Sequence, residues 1–211
     1  MPIGLYRAIE TPKARDFIDA VNAFNDKLGK TNVQILHNIA NPTQISFFTV
    51  FDSLADFESQ SEEMVSAGLP ELVRSHDVKL INYGFITSEA SNDPERTMVG
   101  QHSYVVLTGG LVKIGKMADV IACGSRVIEK IGPEHLSNGI GSSLLRAVSG
   151  TNLNTIAHRV GLPSIEATEQ FIMQKPGERP DIADDVKEWL GNMESIRRGV
   201  FKVRRKFGPL D

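Results

Sequence analysis

The stretch TVFDSLADFE at 49–58 and the stretch VGLPSIEATE at 160–169 share one layout, 111 positions apart. Without a gap, Ile45 falls on Ile156, Phe51 on Leu162, Ser53 on Ser164, Leu54 on Ile165 and Glu58 on Glu169. In each, an apolar run ends at a serine and an acidic helix start follows. A chain that carries one unit twice is confined to folds that two stacked or paired copies can build.

The rest of the chain fits that division. IGLYRAI at 3–9 reads as a strand, and the following segment places Phe17, Ile18, Val21, Phe24 and Leu28 at helical spacing. Thr11 is suited to cap that helix, Pro12 to open it and Gly29 to end it. NVQILHNIA and QISFFTVF read as two strands joined by the turn NPT. A second helix begins after Asp52 and Ser53, is interrupted by AGLP, and VKLINYGFITS closes the unit. The order β-α-β-β-α-β then recurs. QHSYVVLTG is its first strand, KMADVIACGSRVIEKIG its first helix, GSSLLRAVSG and NTIAHRVGL its hairpin, and SIRRGVFKVRRKF its last strand. KPGERP interrupts the second helix where AGLP interrupts the first. The polar stretch SEASNDPERT at 88–97 is read as a linker. The expected fold is α+β: two tandem ferredoxin-like units at 1–88 and 98–207, with a linker at 89–97.

Length and composition agree with this size of fold: 211 residues at 41% hydrophobic content bury an ordinary core in one domain or two small ones. The single Cys123 leaves no internal disulfide and suits a reducing cytoplasm. MPIGLYRAIE has no basic segment leading into an apolar core, and no apolar run approaches the roughly 18 residues of a membrane span. A soluble, cytoplasmic protein without membrane contact is expected. A net charge of −3 gives no general attraction for nucleic acid.

A strand entering an SLADFE-like helix start, inside a β-α-β-β-α-β unit, resembles the dimeric α+β barrel superfamily, which includes antibiotic-biosynthesis monooxygenase-like, NIPSNAP-like and EthD-like proteins. The pattern covers nearly the whole chain, twice. In that superfamily two units pair their sheets across a dimer. The resemblance therefore implies that this chain forms the pseudo-dimer internally, with homo-oligomerisation beyond it left open. It also implies an enclosed, mainly apolar pocket for a small organic ligand in each half. The chemistry of such barrels ranges over cofactor-free oxygenation, cyclisation, isomerisation and haem catalysis.

Polar residues on strands are the candidates to line such a pocket. His102, Tyr104, Val106 and Thr108 share one strand face, and Gly4, Tyr6, Ala8 and Glu10 are read as its counterpart, which makes Tyr6 and Tyr104 equivalent. Tyrosine donates a hydrogen bond to a carbonyl or enolate oxygen, and histidine moves a proton near neutral pH. Both tyrosines serve equally well as core residues with tethered hydroxyls. His158 stands where the first copy has Phe47, so one copy exchanged an apolar group for a titratable one. Burial favours its neutral, basic form. His37, beside Val33 and Ile35, is a further candidate of the same kind. His76 is read as a helix-end residue and His135 as a surface loop residue. Arg146, and Arg159 in place of Phe48, are read as anion binders, while Arg7 is expected in an internal ion pair. The catalytic set is thus His158, His102 and Tyr104, with Arg146, Arg159, Tyr6 and His37 for substrate. The more polar second copy is expected to carry the active pocket.

Other motifs are declined. TGGLVKIGK at 108–116 lacks P-loop and dinucleotide spacing and reads as a strand-to-helix loop. The basic RRGVFKVRRKF reads as an edge strand protected by charge. No cluster has metal-ligand spacing, so no metal is expected. Three classes remain: a cofactor-free enzyme acting on an apolar or aromatic metabolite, a haem enzyme of the chlorite-dismutase-like branch, and a non-catalytic ligand-binding or assembly protein.

Overall fold

The computed structural model describes residues 3–95, 97–98, 100–150 and 152–208. The first half runs β1 (Ile3–Glu10), α1 (Ala14–Lys27), β2 (Val33–Asn38), β3 (Gln44–Phe51), α2 (Leu54–Ser66), α3 (Leu69–Ser75) and β4 (Lys79–Ser91). The second runs β5 (Tyr104–Leu111), α4 (Met117–Ser137), β6 (Gly141–Ala147), β7 (Thr155–Leu162), α5 (Ile165–Met173), a 3-10 turn (Pro176–Glu178), α6 (Ala183–Gly191) and β8 (Arg197–Arg205).

Local chemistry sets these boundaries. Ser53 and Ser164 each accept a backbone N–H with their hydroxyl, from Asp56 at 3.1 Å and from Ala167 at 3.2 Å, so both helices after the third strand of a half start on a serine cap. Gly29 and Gly68 adopt the left-handed conformation, where a side chain would be strained, and they follow α1 and α2 directly. Pro70 in the first turn of α3 then restarts the helix in a new direction.

All neighbouring strands are antiparallel, and they close into a barrel in the order β1-β3-β2-β8-β5-β7-β6-β4. Each half contributes four adjacent strands, β4-β1-β3-β2 and β8-β5-β7-β6. The seams are β2 with β8 and β4 with β6. Alternation along each strand sends one set of side chains inward and the other under the helices. Leu36, Phe48, Val105 and Phe201 fill the interior with Tyr6, Ile86, Leu107 and Leu145. Outside, Ile9, Phe17, Ile18, Val21, Ile35 and Ile45 pack beneath α1 and α3. Val120, Cys123, Ile128, Leu144, Ile156 and Trp189 pack beneath α4 and α6, and Val106, Val160, Leu162 and Phe171 beneath α5. Ile35, Leu36, Ile45 and Ile156 are fully buried, each contributing about 1.5–3 kcal/mol of apolar transfer energy.

Closure corrects several expectations. β4 continues through Ser88–Ser91 into the stretch read as linker, because those residues pair with β6 and shut the barrel. β8 is no edge strand, since β2 and β5 flank it. Its charges have other tasks: Arg205 pairs with Asp26 at 2.7 Å, and Arg198 donates to the Thr108 hydroxyl at 3.0 Å. Residues 108–111 belong to β5 and are not a loop. In β1, Ile3 pairs with Phe51, whereas in β5 it is Tyr104 that pairs with the corresponding Leu162. Tyr104 is therefore the counterpart of Ile3, and Tyr6 that of Leu107. A three-residue offset between halves reverses the face, so the two tyrosines lie on opposite sides of the sheet. Arg7 makes no ion pair among the described residues, and burial lowers its pKa. No helix among the described residues is long and apolar enough to cross a membrane.

Candidate functional site

Two cavities lie on opposite sides of β7. Beneath α4, α5 and α6, a cavity of about 370 Å³ has a floor built from one cross-strand row, Leu144 on β6, His158 on β7 and Thr108 on β5, with Arg198 on β8 at the exposed end of the row. Its walls are Gly124, Val127 and Ile131 of α4, Phe171 of α5, and Val186, Trp189 and Leu190 of α6. The lining is mostly apolar, with Lys175, Arg179 and Arg198 at the rim. Two buried polar atoms here have no hydrogen-bond partner, His158 Nε2 and Trp189 Nε1. Buried nitrogens are ordinarily satisfied; these two belong to side chains that line the same apolar cavity. Burial, and then the charges of His135 and Arg198, hold the His158 pKa down at about 4, so its imidazole is neutral at neutral pH.

His135, expected on a surface loop, is buried in the last turn of α4 and lines the same cavity, with Nδ1 2.9 Å from the Ser142 hydroxyl. Its burial lowers its pKa as well. The helix read from the sequence stops at Gly132, but the spacing Gly124, Ile128, Ile131, His135 continues the buried helical face to the end of α4. That spacing is the signal the sequence reading passed over. A pair of ion pairs holds the cavity roof together: Asp185 of α6 accepts from Arg126 at 2.7 Å and Lys130 at 2.8 Å, both on α4.

The second cavity, about 480 Å³, occupies the barrel interior and one mouth. Arg159, adjacent to His158, points into it and donates to Gln34 Oε1 of β2 at 3.0 Å. His102, just before β5, also lies here, with its Nε2 accepting from the Gly141 N–H at 3.1 Å. Its ring rests against Gly141 and Gly161, where any Cβ would collide with it. Burial and the charge of Arg159 bring its pKa to about 4, outweighing the opposing effect of Asp93.

The expected site residues are thus divided. His158 stands in one cavity, and His102 and Arg159 in the other. Tyr104 packs with Val106, Val160 and Leu162 under α5 and lines neither cavity. Tyr6 is inside the barrel, its hydroxyl 3.3 Å from that of Ser46 and its ring against Phe48; burial raises its pKa. Arg146 is held by Glu89 at 2.6 Å. His37 lies on β2 and reaches the turn that follows, with Nε2 2.7 Å from the Pro42 carbonyl. His76 accepts its helix-end role, with Nδ1 2.9 Å from the Leu72 carbonyl. Among the described residues, no group of three or more His, Cys, Asp or Glu is arranged to hold a metal ion.

No family model and no curated protein matches this sequence. Solved structures match it over nearly their whole length. A candidate monooxygenase from Fusobacterium nucleatum superposes with a TM-score of 0.73 at 13% identity, covering 100% of this chain and 96% of that one. An anthrone oxidase-like protein gives 0.66 at 13%, covering 99% and 94%. A mutant chlorite dismutase from Candidatus Nitrospira defluvii gives 0.58 at 10%, covering 95% and 91%. At such identities the likeness is one of fold: the chain is an eight-stranded antiparallel α+β barrel of the architecture these proteins share.

Proposed function

We propose that the cavity beneath α4, α5 and α6 binds a small, mainly apolar or aromatic metabolite, and that His158 acts on it as the base in a cofactor-independent oxygenation, cyclisation or isomerisation. The observation that carries this reading is the unpartnered His158 Nε2 on a side chain that lines a mostly apolar cavity. A neutral imidazole there takes a proton from an activated C–H or O–H group, and the electron pair stays on the substrate as an enolate or phenolate. Arg198, beside Thr108 in the same row, is the cation placed to steady that charge. The anion then reacts with dioxygen, closes a ring, or regains its proton at another carbon. Fold neighbours described as candidate monooxygenases and an anthrone oxidase-like protein support this chemistry by analogy alone.

The same reading takes the chain as two fused ferredoxin-like units. Supporting it are the identical order of the four strands in each half and the two serine caps at matching places.

Haem fits the site poorly. His158 offers a free nitrogen to an iron, but about 370 Å³ is small for a tetrapyrrole with two propionates. Two of the rim cations are already taken, Lys175 by Glu178 and Arg179 by Asp181 and Glu134.

Trp189 is the protein's single tryptophan and lines this cavity, so its emission reports occupancy directly. Titration with anthrone and 1-naphthol is expected to change that emission, and anthrone to support oxygen uptake. His158→Gln is expected to bind equally well and turn over about a hundredfold more slowly or less. Equal turnover in the variant would remove His158 as the base, and an unresponsive Trp189 would remove the cavity as the site.

A further inference from the structure

We propose that the barrel interior is a second binding site, independent of the first, which takes an organic carboxylate with an apolar body and anchors it on Arg159. The guanidinium has five N–H donors, and the only hydrogen bond it makes among the described residues is the one to Gln34. No carboxylate pairs with it among the described residues, and burial alone pushes its pKa down to about 10. A buried, uncompensated charge is costly, and Arg205, with 15% of its side chain exposed, is compensated by Asp26 at 2.7 Å. Arg7 also lacks an ion pair among the described residues, but it lines neither cavity.

The carboxylates near the cavity are engaged elsewhere. Glu89 is held by Arg146 at 2.6 Å and Thr87 at 2.9 Å. Asp93 accepts from the Thr97 N–H and hydroxyl, both at 2.8 Å, and from the Met98 N–H at 2.7 Å. Among the described residues none is left to serve as the counter-ion, and the proposed ligand supplies it. One guanidinium matches a single carboxylate in a two-pronged geometry, and Phe48, Val50, Ile86 and Leu145 supply an apolar wall for the rest of the ligand. Among the described residues, phosphate would find no second arginine or lysine lining that cavity. The first half has Phe48 at the place equivalent to Arg159, so the charge is a property of one half and is not required for the barrel to close.

The test uses 2-naphthoate and decanoate as probes, with 2-naphthalenemethanol and inorganic phosphate as controls, read by calorimetry and by Tm. Either carboxylate is expected to bind the wild-type protein and raise its Tm with Trp189 emission undisturbed, phosphate to do neither, and 2-naphthalenemethanol to bind only at the His158 cavity, with a change in Trp189 emission. Arg159→Met, which replaces the charge by an apolar chain of similar reach, is expected to raise the Tm of the ligand-free protein. It should weaken carboxylate binding at least about tenfold. His158→Gln is expected to bind the carboxylate as the wild type does, with Trp189 emission undisturbed, which separates this site from the catalytic cavity. The proposal is overturned if Arg159→Met binds the carboxylate undiminished, if wild type responds to neither carboxylate, or if phosphate alone binds. A lower Tm of ligand-free Arg159→Met would also overturn it, by making Arg159 a structural residue.

Discussion

A Cβ on Gly161 would lie 2.4 Å from Nδ1 of His102, so β7 holds a glycine where the imidazole covers the strand. The same ring would meet a Cβ on Gly141 at 2.7 Å. Gly161→Ala is expected to displace His102 and destabilise the protein by about 1–3 kcal/mol, as overpacking does. The double variant Gly161→Ala, His102→Ala should recover part of that loss. Urea denaturation of the two variants and the wild type measures both effects.

Acid should weaken the fold through its buried histidines. His102 and His158 have pKa values near 4 in the folded protein and about 6.5 when unfolded. Between those values the unfolded chain binds more protons, so stability rises with pH there. It is expected to be fully present above about pH 6.5 and to fall as the pH drops toward 4. Arg198 and His135 face His158, while Arg159, Lys206 and Asp93 act on His102. Replacing either histidine by glutamine should flatten the dependence, as measured by chemical denaturation at stepped pH.

The two serine caps should be worth similar amounts. Ser53→Ala and Ser164→Ala each remove one hydroxyl acceptor from a helix start and are expected to cost about 1 kcal/mol apiece. Thermal unfolding of the single and double variants would show whether the losses add, as they should for sites in different halves.

Asp185 joins α6 to α4 over the cavity that holds His158. The hydrogen bonds from Lys130 and Arg126 lower its pKa. Asp185→Asn is expected to cost about 1 kcal/mol, given that its cationic partners are half exposed. The larger effect should be on the roof itself: Trp189 emission should shift to the red, and anthrone should bind more weakly.

The helix starts after Ser53 and Ser164 and the helix interruptions were legible, because each depends on residues close in sequence. Closure was not. β2 meets β8 and β4 meets β6 through backbone hydrogen bonds that carry no side-chain signature, and so the stretch 88–91 read as linker and β8 as an edge. Aligning the halves on Tyr6 and Tyr104 failed because a shared residue type is weaker evidence than pairing register, which sets Tyr104 against Leu162 and Tyr6 against Phe48. Arg146 illustrates a further limit: its partner Glu89 lies 57 positions away, on the strand that closure brings alongside.

Because successive residues of β7 alternate between the barrel interior and the helix-covered side, odd and even positions there have different neighbours. Ala157, Arg159 and Gly161 belong to the barrel interior, whereas Ile156, His158, Val160 and Leu162 belong to the helix-covered side. Inheritance can therefore revise one face codon by codon while leaving the other untouched, and parity along eight residues decides which set of neighbours a mutation meets. A single inserted or deleted residue has no such freedom, since it would exchange both sets of side chains at once.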